Sequence, residues 1–428
     1  MTYRLDRRQV LAGSAAALAF GAFGIGRAAA ATHMRFLWWG SKERADRTFK
    51  AIKAYQKSHS GITIEGESFG WDNYWTRLAT QTAGGNSPDL IQMDYRYIFE
   101  YARRGVLLDF TPYMGKSLDI KDFGQQNIDS GKVDGKIYGV SLGVNSSAVM
   151  VNLTAWKEAG MEPPGDDANW DDFAELCAKF TKQTKRRDYY GTADESGLEP
   201  AFEGWLRQRG KALYKDDGSL AFDAADVAAW FDYWAKLRKM KACVPPEMQA
   251  LDQLTVETGM ISQNKASISF GHSNQFVAYQ AINKDKLGMI PYPVPAKDGK
   301  PGQYLKPAMQ MSVSASSKNK DAAVAFVNYL VEDPEGTKLL GVERGVPASE
   351  KVRKELAPSL DALGKEMADF IQKLTPKVGP LPPPPPNGAG ENQFLLQTVS
   401  QQVAFGKMTS QEGGKSYVEK AAANIKRG

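Results

Sequence analysis

Few side chains in this sequence are arranged for covalent or metal chemistry. His33, His59 and His272 are far apart, and together with Cys177 and Cys243 they form no group with zinc-ligand spacing. Gly84-Gly85 lacks the surroundings of a phosphate-cradling loop. A hydrolase that cuts a sugar bond needs two carboxylates, one of them with a raised pKa. Asp72 and Asp94 are the pair to weigh, but nothing marks either as an acid in an apolar pocket. An α/β-hydrolase triad is not expected. No catalytic residue, metal or cofactor is therefore assigned. What the sequence does supply is aromatic rings beside polar groups: Trp38-Trp39-Gly40-Ser41, Trp71-Asp72-Asn73-Tyr74-Trp75 and Asp94-Tyr95-Arg96. Rings and polar forks can hold a ligand by stacking and hydrogen bonding without transforming it.

These groups sit at the ends of short elements. Residues 34–39 are an apolar run suited to a buried strand, and 44–57 carry apolar residues at helical spacing. Residues 62–64 and 88–93 read as strands, and 72–82 and 97–104 as helices, the last stopped by Gly105. Alternating strands and helices predict an α/β layer with a mainly parallel sheet. In such sheets ligands lie beyond the carboxyl ends of the strands, where Trp39-Gly40-Ser41 and Met93-Asp94-Tyr95 fall. Further strands are expected at 137–141, 148–152, 266–270 and 311–314. Asn169 should cap a helix whose first turn carries Asp171 and Asp172. Residues 199–214, 224–241 and 251–263 read as long helical segments, as do 321–331 and most of the last 75 or so residues. The proline run at 380–386 reads as a stiff polyproline II linker on the surface.

The first 31 residues carry Arg7-Arg8, an uncharged Ala/Gly/Leu/Phe-rich run, and small residues at 28–31. This is the pattern of a twin-arginine export leader, with cleavage expected near Ala31 and the mature chain in the periplasm. The apolar run is shorter than the roughly 20 residues of a membrane span, and no Cys stands at its end to take a lipid. The leader holds four Arg and one Asp, so it accounts for +3 of the net charge of +5. The remaining +2 gives no support for nucleic-acid binding. A chain of 428 residues is too long for one ordinary core and suits two lobes. An oxidising compartment would permit a Cys177–Cys243 bridge, but two buried thiols are the simpler expectation.

Several segments, in order along about 300 residues, resemble the extracellular solute-binding proteins of ABC transporters, in the sugar-binding group of family 1 (maltose-binding-protein-like). They are Pro88-Asp89-Leu90 leading to 105–109, Asp134 to Val140 followed by Val151-Asn152, and Pro163-Pro164 leading to Asn169-Trp170. Further along, 259–267, 293–299 and Ser314 to Phe326 also fit. The resemblance implies an α/β, two-lobed periplasmic-binding-protein fold, each lobe a mixed or mainly parallel sheet flanked by helices. One lobe would hold 32–144 plus 309–350, the other 145–308 plus 351–428. Crossings at 143–147 and 310–314 would act as hinges. It also implies a monomer that closes on a carbohydrate and delivers it to ABC permease subunits, and no enzymatic activity.

Sugars present apolar C–H faces and many hydroxyls, so the site should combine rings with planar polar groups. Trp38 and Trp39 face opposite sides of a strand; one should be core and the other, Trp39, should reach the cleft. Ser41 and Arg44 can donate near a helix N-terminus. Trp71 and Asp72 are cleft candidates, and the resemblance places a ligand-contacting acid at Asp94. Replacing Asp94 by Ala is expected to abolish ligand-induced stabilisation and leave the unliganded melting point nearly unchanged. Asn145 lies in a crossing and serves hinge or ligand. Many relatives have an aromatic after the Gly at 271, where this chain has His272, so Trp205 is considered as the missing ring. Gln310 and Arg344 complete the set. Arg44, Arg96, His272 and Arg344 together raise an anionic, uronate-type sugar beside a neutral one. Polyamine or iron binding would need acid or Tyr/His clusters that the sequence does not show.

Overall fold

A computed structural model describes residues 32–296 and 299–427. The export leader at 1–31 lies outside the described residues. Strand β1 (Thr32–Trp39) is buried on both sides over its second half, as a strand covered by helices on both faces must be. It pairs in parallel with β2 (Ile62–Phe69) and β3 (Leu90–Met93). The intervening helices are α1 (Lys42–Ser58) and α2 (Trp71–Ala83), and α3 (Tyr95–Arg103) follows β3. The chain then passes through β4 (Val140–Ser141) and β5 (Val144–Asn145) into β6 (Ser147–Asn152).

β6 is the middle strand of a second sheet, antiparallel to β7 (Ile268–His272) and β8 (Leu287–Ile290). Parallel bridges Tyr190–Ala266 and Thr192–Cys243 extend that sheet, so it too is mixed. The return path is β9 (Lys306–Pro307), antiparallel to β5. β10 (Gln310–Val313) then enters the first sheet between β3 and β4, antiparallel to both. The return crossing therefore lies at β9. Residues 310–313, read from sequence as a hinge, are a buried inner strand.

Each sheet has its own apolar core. Phe36, Trp38, Tyr74, Leu90 and Phe326 belong to the first. Trp156, Phe173, Trp230, Trp234 and Tyr417 belong to the second. Helices α4 (Trp170–Gln183), α5 (Glu199–Arg207) and α6 (Ala224–Lys239) bury their apolar faces there. Two C-terminal helices, α7 (Ala389–Ala404) and α8 (Ser410–Arg427), join them. Asn169 caps α4, accepting from the amides of Asp171 and Asp172. Cys177 and Cys243 are both buried free thiols.

Residues 251–263 are a series of turns, not a helix. Asp252 Oδ1 accepts from the Leu254 amide at 2.8 Å, and Thr258 Oγ1 accepts from the amides of Gln253 and Thr255. Leu254 takes a φ of 56°. Side chains that capture local amides compete with the helical ladder, and here they hold a loop against the first lobe. The polyproline stretch also does more than link helices. Pro380 O accepts from Arg207 Nη2 of the second lobe at 2.8 Å, and Pro382 O accepts from Tyr95 Oη of the first at 3.3 Å.

Candidate ligand-binding cleft

The carboxyl ends of β1 and β3 open onto a cleft between the lobes, with a volume of about 1200 Å³ including its mouth. On the first lobe, Trp38 is fully buried and Trp39, one residue on, lines the cleft. Trp71, the first residue of α2, stands edge-to-face against Trp39 with ring centroids 5.1 Å apart. Trp75 backs both rings. This packing fixes the rings before any ligand arrives.

Ser41 caps α1, its hydroxyl accepting from the Arg44 amide at 3.3 Å. Arg44 is buried and gives its Nε to both Glu343 oxygens at 2.8 and 3.0 Å and its Nη1 to the Trp39 carbonyl. The guanidinium stem runs so close under Gly40 that a Cβ there would lie 2.3 Å from Arg44 Cδ. Asp94 caps α3, with Oδ1 accepting from the Arg96 amide at 2.9 Å and Oδ2 facing Lys306 Nζ at 3.2 Å. Burial raises its carboxyl, but the Lys306 and Arg96 charges and the Arg96 amide outweigh burial and hold it below the ordinary carboxylate value. The expectation that Asp94→Ala spares the unliganded protein is therefore corrected. Asp94 is a helix cap and half of a buried ion pair, and removing it costs stability.

Arg96 reaches across the cleft. It donates to Gln393 Oε1 on α7 at 2.9 Å and to Glu199 Oε1 on α5. Beside it Tyr97 Oη donates to the Gly390 carbonyl at 3.0 Å. A Cβ at Gly390 would sit 2.0 Å from the Tyr97 ring, so this contact between lobes requires glycine. At the other edge, Glu257 of the 251–263 loop accepts from the Lys42 amide at the start of α1, where a carboxylate is favoured.

The second-lobe wall interleaves polar groups with the Phe270 and Tyr279 rings. Asn145 Nδ2 donates to Asn274 Oδ1, while Asn145 Oδ1 has no protein partner. The Ser269 hydroxyl and His272 Nδ1 also lack one. Burial, with the charges of Lys306 and Arg96, pushes His272 down to about 3, so its ring is neutral near pH 7. Glu195 takes the Phe270 amide at 2.8 Å, and burial raises its carboxyl. Burial pushes Asp252 up to about 6.

The cleft thus gathers Trp39, Ser41, Arg44, Trp71, Asp94, Asn145 and His272. Four expected residues stand elsewhere. Trp205 is enclosed in the second core by Trp170, Trp230 and Tyr233, and the Arg209 guanidinium lies 3.3 Å over its ring, so it supplies no stacking platform. Gln310, on an inner strand, donates to Ser130 Oγ at 3.1 Å. Arg344 is buried and joins Gln92 and Thr48, bracing β3 to α1. Asp72 sits on the first turn of α2 beside the cleft but off its lining; burial raises its carboxyl. Lys306, Glu195, Asp252 and Gln393 also line the cleft, and no motif or spacing flags them. Gly139-Val140-Ser141-Leu142-Gly143 has the spacing of a nucleophile elbow. Ser141, however, is in a sheet strand, with its hydroxyl donated to the Gly143 carbonyl at 3.0 Å, not at the strand-to-helix turn such a nucleophile needs.

Two α/β bodies joined by paired crossing strands, with rings and polar groups facing each other across a cleft, define a two-lobed solute-binding protein. The family profile of bacterial extracellular solute-binding proteins matches residues 50–363, and the chain belongs to that family. A putative binding protein of Brucella abortus is 27% identical over 128 residues, a match that spans 30% of either chain. The multiple sugar-binding protein of Streptococcus mutans is 23% identical over 350 residues, covering 77% of this chain and 78% of that one. A periplasmic oligogalacturonide-binding protein from Yersinia enterocolitica, solved in complex with saturated digalacturonic acid, superposes with a TM-score of 0.82 at 21% identity, covering 92% and 99% of the two chains. A second structure of a periplasmic oligogalacturonide-binding protein from Yersinia enterocolitica gives a TM-score of 0.65 over 92% and 99% of the two chains.

Proposed function

We propose that this chain is the periplasmic capture component of an ABC importer and that it takes a neutral mono- or oligosaccharide into the interlobe cleft. In this reading it is exported through its twin-arginine leader, works as a monomer and passes the closed, loaded form to a membrane permease. The observation that carries the ligand class is the pairing of a fixed Trp39–Trp71 ring platform with a floor of buried polar atoms that have no protein partner: Asn145 Oδ1, Ser269 Oγ and His272 Nδ1. Rings receive C–H faces; the polar floor receives hydroxyls. Buried polar atoms left unpaired are costly, and a polyol satisfies them. Arabinooligosaccharide- and multiple-sugar-binding proteins among the relatives support a sugar.

Charge favours the neutral class. Each cation considered for a uronate is already engaged: Arg44 by Glu343, Arg96 by Glu199, and Arg344 within the first core. His272 is neutral. Lys306 is held by Asp94. A carboxylate ligand would therefore have to compete with Glu343, Glu199 and Asp94 for the cations of the described cleft lining. Capture without cleavage follows from the same wall, since Asp94 is tied up as cap and ion pair. The lobes are linked through Arg96, Tyr97 and Glu257, which suits the closed arrangement of a hinged binder.

A thermal-shift screen of the mature protein against neutral and uronic oligosaccharides tests this. A neutral ligand at 100 times its Kd should add about 2.7 kcal/mol of stability, and it should be recovered intact in one-to-one stoichiometry. Stabilisation by uronides alone would overturn the neutral class, and recovery of fragments would overturn capture.

A further inference from the structure

Arg344 carries a charge that its protein neighbours do not answer. The residue is 2% exposed. Its Nε donates to Gln92 Oε1 at 3.0 Å and its Nη2 to Thr48 Oγ1 at 2.7 Å, both neutral acceptors. Its Nη1 is buried and has no partner among the described residues. Arg44 is paired with Glu343 and Arg47 with Glu43, so three neighbouring guanidiniums share two carboxylates and Arg344 is left over. Burial and the Arg44 and Arg47 charges pull its pKa down to about 9, and it remains a cation near pH 7. Arg344 lines a narrow pocket with Ser141, Leu142, Thr337, Gly341 and Ala348, and the described lining holds no carboxylate. The pocket stands at the root of a crossing. Ser141 and Leu142 lead into β5, and Val346 exchanges both backbone hydrogen bonds with Val144 of that strand, at 2.6 and 2.9 Å.

We propose that Arg344 Nη1 and this pocket bind a small monovalent anion, chloride or one of similar size. A buried cation without a counter-charge is costly. A water molecule would accept the Nη1 hydrogen but leave the charge uncompensated. An anion does both, through a charge-assisted hydrogen bond. The rest of the pocket limits the size and kind of anion. The Ser141 hydroxyl is spent on the Gly143 carbonyl at 3.0 Å and the Thr337 hydroxyl on the Asp333 carbonyl at 2.8 Å. Phe123, Leu142, Leu330 and Leu340 make the remaining wall mainly apolar. A single charged donor in such a wall suits a monatomic ion, whereas a phosphate or a sugar acid has many more acceptor sites to satisfy. Arg344 is not in the lining of the interlobe cleft, so the site stands apart from the carbohydrate reading. Seated there, the anion joins the 341–348 turn to the segment that leads into β5 and steadies the crossing.

Exchanging sodium gluconate for sodium chloride at constant ionic strength, with the mature protein and no sugar present, tests the assignment. The melting temperature should rise saturably, by about 2 °C at ten times Kd, and bromide should act alike. Bromide soaked into crystals should give an anomalous peak within hydrogen-bond distance of Arg344 Nη1. Arg344→Met, which keeps the stem and loses the charge, should abolish both signals. Ala348→Leu, which fills the pocket and keeps Arg344, should do the same and stands in if Arg344→Met does not fold. The Val144 and Val346 amides should exchange with solvent roughly threefold more slowly in chloride than in gluconate. A melting temperature without saturable halide dependence, a bromide map with no peak at Nη1, or a shift that survives the variants overturns the site. Equal amide exchange in the two salts overturns its tie to the crossing.

Discussion

The two walls of the cleft solve different problems. The first-lobe wall is stiff: Trp39 and Trp71 are wedged against Trp75 and Tyr74, and Arg44 is locked to Glu343 beneath them. The second-lobe wall has rings as well, Phe270 and Tyr279, but no tryptophan among its described lining residues. Its tryptophans 170, 205, 230 and 234 pack on one another in the core, and what lines the cleft is Phe270 and Tyr279 interleaved with Asn145, Ser269, His272 and the Glu195 and Asp252 carboxyls. One side is shaped for the face of a ligand and the other for its hydroxyls. Identical residue types therefore have opposite value in the two lobes: a tryptophan is a contact in one and a strut in the other.

That contrast breaks if the same substitution gives the same result on both sides. Trp205→Ala should cost about 3–5 kcal/mol of folding stability, as aromatic deletions in a packed core do, and leave ligand affinity per folded molecule unchanged. Trp71→Ala, at a half-buried position, should cost far less stability and weaken binding by about 2 kcal/mol, roughly 30-fold in Kd. Denaturant titration and calorimetric titration of both variants measure the pair. A loss of affinity in Trp205→Ala, or none in Trp71→Ala, would remove the division of labour.

How much of this was legible in the sequence follows the same line. The strand–helix alternation of residues 32–104 and the Trp38/Trp39 division appear in the pattern because period-2 and period-3.6 spacing are local. Trp71 was singled out because it stands at the start of one of those elements, and Asp94 because it follows a strand and the family resemblance places an acid there. Trp205 misled because a ring on an apolar helix face looks alike whether a ligand or Trp170 covers it. Arg344 and Gln310 misled because polar residues near a strand end can also brace a core. Lys306, Glu195 and Gln393 left no signal: each comes from a separate stretch of chain, and only tertiary folding sets them around Asp94 and His272. The 251–263 loop was misread because its apolar spacing fits a helix, while Asp252 and Thr258 capture the amides a helix would use.

The junction between the walls can be tested at Asp94, which belongs to the first lobe by its cap and to the crossing strand by Lys306. Asp94→Ala should destabilise the unliganded protein by about 3 kcal/mol, since it leaves Lys306 buried without its partner. Asp94→Asn retains the cap and should recover about 1 kcal/mol of that. Both should lower the ligand-induced shift. Equal stabilities for the two variants would mean that the cap on α3 contributes nothing, and an unliganded melting point equal to wild type would mean that the Lys306 pair is inert.

The smallest effect distinguishes two groups on the polar wall by the sign of their pH dependence. His272 is held near 3 in the folded protein against about 6.5 when unfolded. Below about pH 6.5 the unfolded chain therefore takes up a proton the folded one refuses, and stability falls by about 1.4 kcal/mol per pH unit until about pH 3. Asp252 runs the other way. Its carboxyl is pushed up to about 6 from about 3.9, so between those values the folded state holds the extra proton and stability rises as pH falls. In the wild type the two slopes oppose each other over pH 4–6. His272→Gln should steepen the rise toward acid relative to wild type by about one proton, and Asp252→Asn should shift the slope by a similar amount in the opposite direction. The remaining carboxyls, Glu195 among them, are common to each comparison and drop out of the difference. Chemical denaturation of the three proteins at half-unit steps from pH 4 to 6.5 gives those differences directly. Parallel curves for wild type and His272→Gln would show that the ring is charged in the fold, and the hydroxyl-accepting floor assigned to it would have to be redrawn around Asn145 and Ser269.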